Sequence, residues 1–275
     1  MDSRDHVANI RSLILTAKAS DKMHAVIVEG PAGWGKTTAV DQAFTEASIK
    51  GFHLGAYSTP LNLFNFLHRH NKQVVVIDDC AGLFSDQSSM AILKAATWPQ
   101  GGRRILKWGS TSSRAAIEEF EFRGKLIIIC NSFPNSADAE AVKSRSFPIR
   151  IDVKVEEAKR LLMAAAKDKI WFNDPKLGAS VAKFLISRLS ENSLSQVSYR
   201  TLQMGYELAK HNPQTWQNLL GGMVSSPQED PKTLVRRLAK EGLKVKDQIL
   251  HFEQITGLKR RTFFKYRQML EDSKR

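Results

Sequence analysis

Twenty-four residues constrain this chain more than any others. His24–Glu29 is a short apolar, β-branched run, and Gly30-Pro-Ala-Gly-Trp-Gly-Lys-Thr37 follows it directly, leading into a helix-forming stretch over Thr37–Ala47. The eight central residues fit G-x-x-x-x-G-K-[ST], and a strand before and a helix after are the context that this pattern requires. The reason is geometric. Glycines let the backbone curl until its N–H groups point inward at phosphate oxygens, and a helix beginning near Lys36 turns its positive end to the same place. Gly30, Pro31, Ala32, Gly33, Trp34, Gly35, Lys36, Thr37 and Thr38 are therefore expected to line a nucleotide phosphate site. Lys36 is expected on the β- and γ-phosphates and the Thr37 hydroxyl on Mg²⁺. Trp34 is expected near the nucleotide rather than packed in a core.

Four more apolar runs recur up to Val153: Phe52–Tyr57, Val74–Asp78, Leu126–Cys130 and Phe147–Val153. The second and third of these are continuous rather than alternating, the pattern of strands buried on both faces of a parallel sheet. Helical stretches separate the runs, at Leu61–His70 and Ser88–Ala96 among others, which implies βα units and a three-layer α/β sandwich. From Lys154 to Val224 only helical periodicity remains, with Val155, Ala158, Leu161 and Leu162 on one face. The polar stretch Ser225–Pro231 reads as a linker. The expected domains are thus 1–153, a P-loop core; 154–224, a helical bundle; and 231–275, a basic helical tail.

Val74-Val-Val-Ile-Asp-Asp79 supplies the acids such a site needs. A parallel strand ends facing the ligand, so Asp78 is expected to hold the Mg²⁺ shell and Asp79 to orient or deprotonate an attacking water. A solvated acidic turn is the plainer alternative.

Taken together, residues 10–215 resemble the AAA+ ATPases. The loop and Asp78-Asp79 match that family's Walker A and Walker B motifs. Leu126-Ile-Ile-Ile-Cys-Asn131 resembles its sensor 1 strand, Ala141-Val-Lys-Ser-Arg-Ser146 its arginine-finger segment and Ser198-Tyr-Arg-Thr-Leu202 its sensor 2 motif. The resemblance implies strand order 5-1-4-3-2 beneath a helical lid. It implies that Asn131 positions the lytic water, that Arg145 reaches the γ-phosphate of a neighbouring subunit, and that Arg200 contacts the nucleotide from the lid. ATP and Mg²⁺ are the implied cofactors, and a homo-oligomer, a hexameric ring first of all, is the implied assembly. Asp79 departs from the usual Glu of that family, which sets its carboxylate back by one methylene. An Asp-Asp pair does occur in the related superfamily 3 helicases. In that comparison Thr97–Phe122 is a hairpin facing the ring's pore, with Arg103, Arg104, Lys107 and Trp108 suited to phosphates and base stacking. The alternative there is a basic surface loop.

Charge points the same way. Residues 231–275 carry thirteen Lys and Arg against five Asp and Glu, a net +8, and the other 230 residues supply only +5 of the chain's +13. A basic tail of this kind suggests a polyanionic partner. Lys246–Leu270 reads as two helices around Thr256-Gly-Leu258, the helix-turn-helix pattern. Lys259, Arg260, Arg261, Lys265 and Arg267 on its second helix are the expected DNA contacts; ring contacts through a basic hairpin are the alternative.

Cys80 and Cys130, each ending an apolar run, read as buried structural thiols. No run approaches the ~20 apolar residues of a membrane span, and the N-terminal Met-Asp-Ser-Arg-Asp lacks a leader pattern, so a cytoplasmic protein is expected. The leading functional expectation is an oligomeric ATPase acting on DNA in replication, recombination or transposition, as helicase or loader, with a replication or recombination protein as a further partner. A nucleotide-switched, sequence-specific DNA-binding regulator is the alternative, and a protein-remodelling ATPase ranks last.

Overall fold

The computed structural model describes residues 4–55, 57–109, 117–224, 231–240, 244–256 and 258–272. The chain divides into two compact units, Met1–Arg160 and Leu161–Arg275. The tip of the expected pore hairpin, the linker after Val224 and the glycine of the tail turn lie outside the described residues.

In the first unit, helix α1 (Arg4–Ala19) leads to β1 (Ala25–Glu29), α2 (Lys36–Glu46), β2 (Gly51–Leu54), α3 (Pro60–Arg69) and β3 (Val74–Asp78). Then come α4 (Ala81–Ser85), α5 (Gln87–Thr97), β4 (Ile105–Lys107), β5 (Glu119–Glu121), β6 (Lys125–Cys130), α6 (Ala137–Lys143) and β7 (Phe147–Arg150). Five strands form one parallel sheet in the order β2-β3-β6-β1-β7. Numbered along the chain, that is the 5-1-4-3-2 order the resemblance implies. The continuous apolar runs are buried along both faces, as expected for central strands. Ala25, Ile27, Val75, Ile77, Leu126 and Ile128 join one core with Leu63, Phe64 and Leu67 of α3, Leu93 of α5 and Val142 of α6. Val26, Val28, Val76, Ile127 and Ile129 are equally buried; α1 packs against β1, β6, β7 and α2 and contributes the buried Ile10, Ile14 and Ala17. The sheet is therefore flanked by helices.

β4 and β5 form a separate antiparallel pair, Leu106 opposite Phe120, so the hairpin expected over Thr97–Phe122 exists where it is described. One of its cations does other work. Arg104 is buried, 6% exposed, and donates from Nη1 to the Ala96 carbonyl and from Nη2 to the Gly124 carbonyl, both at 2.8 Å. Its guanidinium also lies over the Phe122 ring, 5.1 Å from the centroid. The expectation that Arg104 meets a phosphate is thus corrected: it ties the end of α5 to the approach to β6, where a planar fork satisfies two carbonyls at once.

The second unit begins within α7 (Val155–Ala166) and continues with α8 (Pro175–Ser187), a 3₁₀ turn at Leu194–Gln196, α9 (Tyr199–His211) and α10 (Trp216–Met223). Val181 and Leu185 of α8, Leu202 and Tyr206 of α9, and Leu220 of α10 are buried there. Phe184 meets Trp216 edge-on, centroids 5.2 Å apart. The tail helices α11 (Pro231–Lys240), α12 (Val245–Thr256) and α13 (Arg260–Asp272) have a core of their own: Leu234, Val235, Leu238, Phe252 and Phe263, with Tyr266 and Leu270 packed against it.

Candidate functional site

The glycines of the loop after β1 serve different ends. A Cβ at Gly30 would sit 2.7 Å from the Ile151 Cβ and 2.9 Å from the Ile151 carbonyl, so close packing on the chain leaving β7 demands glycine there. Gly33 and Gly35 have φ of 77° and 79°, the left-handed conformation that only glycine adopts at little cost. Gly35 is the N-cap of α2 and supplies no side-chain cap. Helices α3, α5, α6, α8 and α9 are capped by Thr59, Asp86, Ser136, Asp174 and Ser198. α2 shares the lack of a side-chain cap with α4 and α10, but its first N–H groups follow a glycine-rich loop, the setting in which a helix end suits a phosphate.

Lys36 is buried, 7% exposed. Its ammonium donates to the carbonyls of Gly30 at 2.8 Å and Pro31 at 2.9 Å, and to Asn131 Oδ1 at 2.9 Å. Asn131 in turn donates from Nδ2 to Asp79 Oδ1 at 3.3 Å. Thr37 Oγ1 donates to Asp78 Oδ2 at 2.8 Å. Loop, Asp78, Asp79 and Asn131 are therefore one connected site at the C-terminal edge of β1, β3 and β6. A hydroxyl and a carboxylate in contact are hard oxygen donors that fit Mg²⁺. Among the described residues there is no group of three or more His, Cys, Asp or Glu that could hold a metal ion.

Asp79 has φ 52°, left-handed and non-glycine, a conformation Asp tolerates better than most residues. Its N–H still reaches the Ile129 carbonyl at 3.1 Å, so the ladder extends one residue past β3 before the chain turns. Cys80 beyond it is buried and donates from Sγ to the Gly55 carbonyl at 3.1 Å. Burial, with Asp78 and Asp79 nearby, raises its pKa. Burial first, then Glu29, pushes Cys130 up to about 12. Both are free thiols held protonated, as buried structural residues should be.

Trp34 corrects an expectation. It is 6% exposed, packed where it was expected to stay out of a core. Thr38 is exposed at the start of α2. Arg145 is half-buried between α6 and β7, its N–H on the Val142 carbonyl at 3.2 Å. Arg200 is exposed in the first turn of α9, in the second unit. Arg103 and Lys107 are exposed and paired, with Glu121 at 3.4 Å and Glu119 at 2.8 Å. Lys259, Arg260, Arg261 and Lys265 are exposed and Arg267 half-exposed around α13, with Arg260 N–H accepted by Glu253 Oε1 at 2.8 Å.

Sequence reasoning missed Glu29 and Lys143. Glu29, directly before Gly30, accepts from the Phe133 N–H at 3.3 Å through Oε1, and its Oε2 lies 3.7 Å from Lys143 Nζ. An acid closing an otherwise apolar strand next to the loop was the available signal.

Sheet order, loop and acids define the fold: the first unit is a parallel α/β core around a phosphate-binding loop, with the strand order of the AAA+ fold. Residues 9–95 match the family model Novel STAND NTPase 3. Over 242 residues, 79% of this chain and 73% of its counterpart, the sequence is 25% identical to an uncharacterized 36.7 kDa protein of the nrdC–mobD intergenic region of enterobacteria phage T4. The fold is similar to that of a variant of Thermotoga maritima RuvB, with TM-score 0.50 and 11% identity over 90% of this chain and 80% of that one. Domain III of the Thermotoga maritima replication initiation protein DnaA aligns at TM-score 0.43 and 13% identity, covering 90% of each chain. Among the described residues no helix is long and apolar enough to cross a membrane.

Proposed function

We propose that this chain is an oligomeric ATPase that binds and hydrolyses ATP and acts on DNA, in replication, recombination or transposition. The observation that carries the reading is the chain of contacts Thr37–Asp78 and Lys36–Asn131–Asp79 at 2.8, 2.9 and 3.3 Å, beside an α2 N-terminus with no side-chain cap. Lys36 holds the β- and γ-phosphates, and Thr37 with Asp78 holds Mg²⁺, which neutralises phosphate charge when bound. Asp79 orients the lytic water or takes its proton, and Asn131 positions it. Arg145 completes the site of the next subunit, hexamers being the assembly favoured, and Arg200 serves from the lid. DNA is held by Lys259, Arg260, Arg261, Lys265 and Arg267, with α12 and α13 as a helix-turn-helix and α13 as its reading helix; Arg103 and Lys107 of the hairpin add contacts. The likeness to RuvB supports the core's architecture; the +8 tail supports the polyanion.

The test is the ATP hydrolysis rate with and without single- and double-stranded DNA, for wild type, Lys36→Ala and Arg145→Ala. Both variants are expected to lose activity, and mixing them is expected to restore part of it, since each supplies what the other lacks. Stimulation by DNA is expected in the wild type. Sequence-specific DNA binding with negligible turnover would instead favour a nucleotide-switched regulator, a reading that the short, left-handed Asp79 supports.

A further inference from the structure

Arg145 sits in a three-residue connection, Ser144–Ser146, between the end of α6 and the start of β7. That connection is stiff. Arg145 N–H donates to the Val142 carbonyl at 3.2 Å and Ser146 N–H to the Lys143 carbonyl at 3.0 Å. The buried Ser146 hydroxyl returns to the Val142 carbonyl at 2.8 Å. Such a turn passes on a displacement rather than absorbing it.

Both ends of the turn are fastened to β1, the strand that carries the phosphate loop. On one side Phe147 opens β7, which runs in register with β1, Val26 beside Phe147 and Glu29 beside Arg150. On the other side Lys143 closes α6, and its ammonium faces Glu29 Oε2 at 3.7 Å. Lys143 also lies 3.8 Å from Glu140 and over the Phe133 ring, 5.6 Å from its centroid. The Glu29 and Lys143 side chains are 16% and 28% exposed, so the pair is less screened than a surface ion pair.

Glu29 is equally close to whatever the loop does. Gly30, whose carbonyl accepts from Lys36, is its neighbour in sequence. Phe133, whose N–H donates to Glu29 Oε1, is two residues past Asn131, the other partner of Lys36. A phosphate that draws Lys36 away from Gly30, Pro31 and Asn131 therefore releases the backbone next to Glu29 and a side chain two residues before Phe133.

We propose that Glu29, through Lys143, is a positioning residue that couples nucleotide occupancy of the loop to the placement of Arg145 at the next subunit's site. This rests on the reading of Arg145 as a finger acting in trans. Glu29 touches no phosphate; it relays the state of its own subunit's loop to its neighbour's chemistry.

Three variants test it in the full-length protein: Glu29→Gln, which keeps an acceptor for the Phe133 N–H; Lys143→Met, which keeps an apolar stem over Phe133; and the swap Glu29→Lys with Lys143→Glu. Affinity is read with a fluorescent ATP analogue, and hydrolysis with its Hill coefficient on the assembled protein. Both single variants are expected to bind nucleotide within about twofold of wild type, lose about tenfold or more in assembled hydrolysis and fall toward a Hill coefficient of one. The swap is expected to regain part of the loss, since it restores the attraction between positions 29 and 143 but leaves the Phe133 N–H without its acceptor and sets an acid beside Glu140; the fall in Hill coefficient at unchanged nucleotide affinity is what a merely structural role would not produce. If Arg145→Ala abolishes hydrolysis while both single variants leave rate and cooperativity unchanged, the coupling is overturned and the finger stands. Loss of nucleotide affinity in step with rate overturns it too, since Glu29 would then act on its own loop. An unaffected Arg145→Ala removes the finger and the coupling with it.

Discussion

Arg104 and Lys36 are both buried cations that donate to two backbone carbonyls each, but Lys36 also reaches Asn131 beside the loop. Arg104 spends two guanidinium nitrogens on Ala96 and Gly124, and burial pushes its pKa down to about 10, still cationic at neutral pH. Arg104→Met is expected to cost about 2–3 kcal/mol in denaturant unfolding, the worth of charge-assisted bonds and of two carbonyls left bare. Arg103→Ala, which removes an exposed partner of Glu121, is expected to change stability by less than about 0.5 kcal/mol. Beside Arg104, His24 carries a buried Nδ1 with no partner among the described residues. Burial first, then the charges of Arg104 and Lys125, push its pKa from 6.5 to about 4 against a weaker pull from Asp21. The folded protein therefore refuses a proton that the unfolded chain accepts. The resulting stability is present above pH 6.5, falls as pH drops toward about 4, and changes no further below it. His24→Phe is expected to flatten that part of the wild-type curve, measured as denaturation midpoints between neutral pH and about 4. Neither role is written in the sequence: Arg104 and Arg103 are neighbours with the same side chain, and only the packing of α5 against β4 separates a strut from a surface charge.

At the scale of elements, the loop between β1 and α2 was legible as a loop, because Gly33 and Gly35 are demanded by local backbone geometry. The reason for each glycine was not. Gly33 and Gly35 answer to φ, whereas Gly30 answers to Ile151, some 120 residues later in the chain. Gly30→Ala is accordingly expected to shift β7 or the loop, lowering stability by about 1–3 kcal/mol and weakening nucleotide binding, both visible by titration calorimetry and unfolding. The strands were legible for the same local reason. Val-Val-Val-Ile and Leu-Ile-Ile-Ile have no polar face to offer, so they must be central, while β2 and β7 are shorter than their apolar runs suggest. Trp34 was misread because burial depends on what folds over a residue, and nothing within eight residues of it reveals that. Glu29 and Lys143, more than a hundred residues apart, meet only because β1 lies between β6 and β7.

At the scale of the whole molecule, charge is concentrated where a separate small core exists. Phe252 and Phe263 pack with Leu234, Val235 and Leu238, leaving Lys259, Arg260 and Arg261 exposed at the start of α13. If these and Lys265 and Arg267 neutralise phosphates, DNA affinity falls with salt at a log–log slope of roughly −5. Replacing Lys259, Arg260 and Arg261 by Ala is expected to reduce that slope by about 3, since each lost contact removes about one released counterion. An unchanged slope in filter-binding titrations would place the DNA elsewhere. Composition alone determined that this chain must meet a polyanion or keep a heavily solvated tail, and its periodicities determined a parallel α/β core followed by helices. Those are local and additive properties, set by side-chain type and by the 2- and 3.6-residue repeats. Which cations are free to act, which tryptophan is covered, and which acid reaches the loop were decided by the tertiary structure alone. Each depends on strand order, and strand order joins residues that no local pattern relates.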